Sequence, residues 1–183
     1  MKQFDVYRDL LLRWAGTLNL SSAATSNSTG FDTSIADSLQ LLPHLPIGLS
    51  KLVDLGSGQG FPAIPVAIAT GIAIELIESD RRKAAFLMTA MATLSLQGRV
   101  WSCRIEQAAA LPAQCVTARA LAPLAGLLDL AARFVEEGGC CLFLKGPNVD
   151  VEIQAARRTR KFTYAVHPTA SPRSNVVKLT HLR

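Results

Sequence analysis

The chain predicts a doubly wound α/β fold. A mostly parallel sheet is covered by helices on both faces, an antiparallel strand pair closes the C-terminal end, and a helical extension opens the chain. Three observations carry this prediction. Short apolar runs bounded by turn residues, such as Lys51–Leu55 and 140–144, alternate with longer segments of helical period. The runs are apolar throughout, as strands buried on both faces require. A glycine-rich turn, Gly56-Ser-Gly-Gln-Gly60, follows the first run, where open sheets of this class place their ligands.

Each element has its own signal. Phe4, Tyr7, Leu11, Trp14 and Leu18 recur at helical spacing, so 3–18 reads as an amphipathic helix with Trp14 on its core side. Residues 19–30, rich in Ser, Thr, Asn and Gly, read as a loop. A short helix over 34–42 is stopped by Pro43 and Pro46. After the first strand and the turn come a helix over 64–70, a strand over 73–78 and a helix over 80–96. The last carries the apolar stripe Ala84, Leu87, Met88, Met91 and Leu94. Strands follow over 100–104, 115–118 and 140–144, with helices over 123–134 and 151–160. The runs 162–166 and 176–182 are joined by a link too short for a helical crossover, which predicts an antiparallel hairpin at or near the sheet edge. The whole reads as one domain, 1–183, with 1–46 as a helical extension packed on it.

Composition narrows the function. Apolar residues make up 49% of the 183-residue chain and charged residues 18%, which supports one core and argues against disorder. No apolar run is long enough to cross a bilayer and no signal-like stretch opens the chain, so a cytoplasmic protein without a membrane span is expected. Cys103, Cys115, Cys140 and Cys141 form no C-x-x-C pair. They read as free buried thiols in a reducing compartment rather than as a zinc site. His44, His167 and His181 show no ligand spacing. The net charge of +5 is one-ended: residues 1–150 hold 12 Lys/Arg against 13 Asp/Glu, and residues 151–183 hold 7 against one. The cluster Arg157, Arg158, Arg160 and Lys161 suggests a polyanionic partner, nucleic acid above all; a solvated helix face is the plainer alternative.

The turn is the sharpest local signal. Its glycines stand at G-x-G-x-G, not at the G-x-G-x-x-G of dinucleotide binders, since Phe61 takes the place of the third glycine. Glu78 ends the second strand, placed to hydrogen-bond both hydroxyls of an adenosine ribose. Turn and acid together suit S-adenosylmethionine and a Rossmann-like, class I methyltransferase. Asp54, inside an apolar strand, needs partners such as the turn amides or a ligand's ammonium group. A solvated strand-end role for Glu78 and a turn-holding role for Asp54 are the simpler alternatives.

Further motifs extend this. Val53-Asp-Leu-Gly-Ser-Gly-Gln-Gly-Phe-Pro-Ala-Ile-Pro65 is followed by Arg82-Lys-Ala-Ala-Phe-Leu87, Arg104-Ile-Glu106, Thr117-Ala-Arg-Ala120, Leu144-Lys-Gly146 and Arg173-Ser-Asn-Val-Val177. It is preceded by Leu18-Asn-Leu-Ser-Ser22 and Asp37-Ser-Leu39. On these segments the chain resembles the RsmG (GidB) family, which methylates guanine N7 in 16S rRNA of the small ribosomal subunit. The resemblance runs from about Leu18 to the C-terminus. It implies S-adenosylmethionine as cofactor, with Asp54, Gly56, Ser57, Gly58, Gly60, Phe61 and Glu78 around its methionine and ribose, and Ile105 and Glu106 beside the adenine. Arg119 would face both cofactor and target base. Asn19 and Lys145 would join it on the catalytic side of the cleft, and Lys145, Arg82, Arg173 and the cluster 157–161 would meet RNA. The resemblance implies 16S rRNA in the small subunit as partner; a monomer is expected as the working form. Four departures stand out. Ser34 takes the place of a histidine, Ala63 of a glycine and Glu78 of the commoner aspartate, and the chain before Asn19 is short. They bear on substrate positioning more than on cofactor binding.

The chemistry asks little of the protein. Guanine N7 is a ring acceptor with a free lone pair, so no general base is required, and alignment of N7, methyl carbon and sulfur does the work. Arg119 is expected to address O6, a phosphate or the cofactor carboxylate, since a cation against N7 opposes the charge that methylation creates. Plainer roles are an ion pair for Arg119, a surface lysine for Lys145, a loop cap for Asn19 and a hairpin-tip arginine for Arg173. The competing functions are a methyltransferase with a non-RNA substrate, a non-catalytic RNA-binding or ribosome-assembly protein, and, least supported, a nicotinamide-dependent oxidoreductase.

Overall fold

The structure, a computed structural model, describes residues 2–16, 28–109, 111–169, 171 and 174–182. Seven strands form one sheet in the order β3-β2-β1-β4-β5-β7-β6. β1 (Lys51–Leu55), β2 (Ala73–Ile77), β3 (Gly98–Trp101), β4 (Ala113–Arg119) and β5 (Val135–Lys145) are parallel. β6 (Thr163–Pro168) and β7 (Asn175–Thr180) form the expected hairpin, β7 lying antiparallel on β5 and β6 at the edge. β1 pairs with β2 on one side and β4 on the other, so the order reverses at β1 and opens a crevice beyond its carboxyl end.

Side chains alternate across each strand, and both faces are covered. Leu52, Leu76 and Leu142 turn to one core with residues of α1 (Lys2–Trp14), α2 (Ser28–Leu39), α3 (Ala63–Thr70) and α4 (Arg81–Thr93). Val53, Ile77, Val116 and Phe143 turn to the other, under α5 (Leu124–Ala131) and α6 (Val149–Ala156). This explains why the strands read as unbroken apolar runs. Trp14 packs edge-on against Phe86 at the rim of the first core. No helix among the described residues is long and apolar enough to cross a membrane.

Several boundaries differ from the sequence expectation, each for a local reason. α2 starts at Ser28, inside the span read as loop, because Thr33 and Ser34 turn their hydroxyls back to carbonyls one turn earlier and so sit within a helix. β3 starts at Gly98, which pairs with Ile74, and leaves Arg104 beyond its end as the cap of a 3-10 turn. Asp80 caps α4, accepting from the amides of Arg82 and Lys83. β5 reaches back to Val135 through a register shift opposite Ala113 and Cys115, so Gly138 and Gly139 lie within it. Cys115, Cys140 and Cys141 are buried free thiols, whereas Cys103 is only half-buried.

Candidate active site

The turn after β1 is shaped by three left-handed glycines, Gly56, Gly58 and Gly60, with φ of 63°, 56° and 92°. At Gly60 the reason is steric as well. A Cβ there meets Ile64 Cδ1 at 2.4 Å and the Tyr7 hydroxyl at 2.8 Å. Tyr7, fully buried in α1, donates its hydroxyl hydrogen to the Gln59 carbonyl, and its ring packs against Phe31 and Phe61. The N-terminal helix thus holds the turn from below.

Above the turn lies a cavity of about 560 Å³. Among the residues named from sequence, Gly56, Ser57, Gly58, Phe61, Glu78, Ile105, Glu106 and Arg119 line it. Asp54 and Gly60 lie outside the lining. Arg104, Cys103, Lys83 and Leu121 line it as well, with no role foreseen for them. Arg82 is exposed and 3.8 Å from Asp80, while Lys83, the next residue along α4, lines the cavity. The Asp80 cap fixes where the helix starts, and with it which of the two basic side chains faces inward.

Glu78 is buried and binds with both oxygens. Oε2 accepts the Gly58 amide and Oε1 the Asp80 amide, each at 2.8 Å. The carboxylate therefore ties the turn to the loop after β2, and each oxygen keeps a lone pair for a further donor.

Asp54 has no exposed surface. Its Oδ1 accepts the Thr117 hydroxyl at 2.6 Å; its Oδ2 has no partner among the described residues. Burial pushes the carboxyl from 3.8 up to about 7, against the pull of the Thr117 and Ser57 hydroxyls.

Arg119 ends β4. One of its terminal nitrogens donates to the Ser34 hydroxyl at 3.2 Å, and its guanidinium stands 5.6 Å from the Phe61 ring centre. The other terminal nitrogen, Nη1, is buried without a partner among the described residues. Burial lowers the Arg119 pKa, opposed by the nearby Asp37 carboxylate, and burial raises Asp37 itself. The Ser34 departure thus falls at the contact between the N-terminal extension and this arginine.

Other expected site residues separate. Lys145 does not line the cavity; its ammonium donates to the Ala122 carbonyl at 2.9 Å and pairs with Glu152 at 2.6 Å. The cluster Arg157, Arg158, Arg160 and Lys161 lies at the opposite end of the sheet. Thr163, just after it, is level with Thr180 and Cys140, whereas Arg119 is level with Leu144. That offset is roughly 13 Å along the strands. Arg160 is paired with Asp129, and Arg157 lies over the Tyr164 ring. Asn19 and Arg173 lie outside the described residues.

The family model GidB, "rRNA small subunit methyltransferase G", matches residues 1–176. A relative so named from Acidiphilium cryptum is 48% identical over 83% of this chain and 71% of its own length. One from Paramagnetospirillum magneticum is 39% identical over all of this chain and 88% of its own. Among solved structures, a ribosomal protein L11 methylase from Lactobacillus delbrueckii subsp. bulgaricus superposes with a TM-score of 0.68 at 13% identity, over 81% of this chain and 78% of that one. A T. thermophilus 16S rRNA N2 methyltransferase, solved with AdoMet and guanosine, gives 0.58 at 20% identity, over 83% and 39%. These likenesses establish the class I methyltransferase fold. The relatives and the family model establish the family: the chain belongs to GidB, the rRNA small subunit methyltransferases G.

Proposed function

We propose that this protein transfers the methyl group of S-adenosylmethionine to N7 of a guanine in 16S rRNA, acting on the small ribosomal subunit as a cytoplasmic monomer of one domain. The observation that carries the reading is the single cavity in which the glycine turn, Glu78, the Ile105–Glu106 segment and Arg119 converge, in a chain of this family.

The residues fit the cofactor. Gly56 and Gly58 offer backbone without a Cβ. Asp54, buried beneath the turn and outside the cavity lining, acts on the methionine ammonium through the turn above it. The free lone pairs of Glu78 suit the ribose hydroxyls. Ile105, buried at the cavity wall, and the neighbouring Glu106 suit the adenine. When bound, the cofactor supplies an electrophilic methyl on a sulfonium.

The protein supplies placement. Arg119 is held from below by Ser34 and Phe61, and its side chain, which lines the cavity, addresses guanine O6, a phosphate or the cofactor carboxylate, leaving N7 free to attack. No side chain has a proton to remove from N7. Exposed Arg82 lies at the cavity end of the sheet and meets RNA there. Arg157, Arg158 and Lys161 meet a second stretch of backbone at the other end. The family resemblance assigns RNA contact to Asn19 and Arg173 as well.

Labelled S-adenosylmethionine mixed with small subunits from cells lacking this protein tests the reading. Label in 16S rRNA is the expected result. Cofactor binding with no label in the subunit overturns the substrate, and absence of both overturns the reaction.

A further inference from the structure

Resting on that reading, we infer that Glu152 is a positioning residue: with Lys145 it clamps the loop that forms the target-base wall of the cavity. Arg119 ends β4 and α5 begins at Leu124, so residues 120–123 join them. This loop is under constraint. Ala120 has φ of 50°, a left-handed conformation that a residue with a Cβ keeps only when its surroundings enforce it. Ala120 and Leu121 line the cavity, and Leu121 lies so close to Gly56 that a Cβ there would stand 2.6 Å from Leu121 Cδ1.

Contacts from β5 and α6 hold the loop where it enters α5. Pro123, at the N-cap of α5, has no side chain that can accept from the helix amides. Glu152 takes that part from another helix: its Oε2 accepts the Leu124 amide at 2.8 Å. The same oxygen pairs with Lys145 at 2.6 Å, and the Lys145 ammonium donates to the Ala122 carbonyl at 2.9 Å. The end of the loop where it enters α5, from the Ala122 carbonyl to the Leu124 amide, is thereby tied to one ion pair. The Lys145 side chain is only 9% exposed and that of Glu152 26%. Removing either partner strands a poorly hydrated charge and frees the loop. This places Lys145, the expected RNA contact, inside the wall rather than at its surface.

The test uses the full chain with the substitutions Glu152→Gln and Lys145→Met, singly and together. Hydrogen exchange reads the loop directly. The Leu124 amide, which Glu152 holds, should exchange at least about tenfold faster in each variant, while those of Gly58 and Asp80 stay as in the wild type. Methyl transfer to small subunits reads the consequence. Turnover should fall about tenfold or more, with the dissociation constant for S-adenosylmethionine within about threefold of wild type, and the double variant should be no worse than the poorer single one. Unchanged exchange, unchanged turnover, additive losses, or loss of cofactor affinity in step with turnover each overturn the clamp. If Glu152→Gln does not fold, Lys145→Met is read alone against the same exchange and turnover criteria. A wild-type protein that transfers nothing to subunits refutes the substrate reading, and the exchange data still decide the clamp.

Discussion

The carboxylate of Glu78 and the amide of Gly58 are 2.8 Å apart and joined by a hydrogen bond. That bond fixes the glycine turn relative to the end of β2, since the other Glu78 oxygen holds the Asp80 amide. One side chain therefore organises the cavity floor and keeps a lone pair on each oxygen for a further donor.

In Glu78→Gln, an NH2 group confronts one of two backbone amides, setting donor against donor. The expected loss is about 1–3 kcal/mol of stability, with cofactor affinity down about tenfold or more. Thermal melts and titration calorimetry with S-adenosylmethionine measure the two. A variant that binds as tightly as the wild type removes Glu78 from the site.

Asp54 makes the protein sensitive to pH. Its folded carboxyl titrates near 7, above the unfolded 3.8, so between these values the folded chain holds a proton that the unfolded chain has released. The resulting stability is fully present below the unfolded value and is lost as pH rises through about 7. Melts of Asp54→Asn, which does not titrate, should gain on the wild type from about pH 5 to about pH 8. A methionine ammonium held at the turn above Asp54 draws the carboxyl back down. Cofactor binding near pH 6 should therefore release a proton in the wild type and none in the variant, seen as a buffer-dependent heat.

Gly60→Ala forces a Cβ toward Ile64 and the Tyr7 hydroxyl at a φ of 92°. Destabilisation of about 2 kcal/mol or more is expected. Displacing the Tyr7 hydroxyl also loosens its bond to Gln59. Chemical denaturation measures the cost, and a change under about 0.5 kcal/mol contradicts the packing described.

The basic cluster predicts a salt effect. Arg158 and Lys161 are exposed and, among the described residues, have no ion pair. Their joint replacement by alanine should make the salt dependence of subunit binding shallower by about two in log–log slope. Filter binding across a salt series measures it, and an unchanged slope leaves the cluster a solvated face.

What the sequence makes legible is what lies close together in it. β1, the turn and Glu78 follow from short contiguous patterns, and the hairpin follows from one short link. Contacts across the fold were hidden. Nothing local tells that Lys145 reaches Ala122 and Glu152, or that Tyr7 supports Gln59, because these pairings depend on how β4, β5 and three helices are laid together. Charge was legible at 157–161, but its place at the far end of the sheet required the register of β6, β7 and β5. Lys83 and Arg82 are neighbours in sequence, and only the helix start fixed by Asp80 separates them.

The central claim is methylation of guanine N7 in 16S rRNA. Its most direct test is nucleoside analysis of 16S rRNA after methyl transfer to unmodified small subunits. N7-methylguanosine carrying the label is the predicted product. Label on an exocyclic nitrogen, on a ribose or on a ribosomal protein contradicts the account.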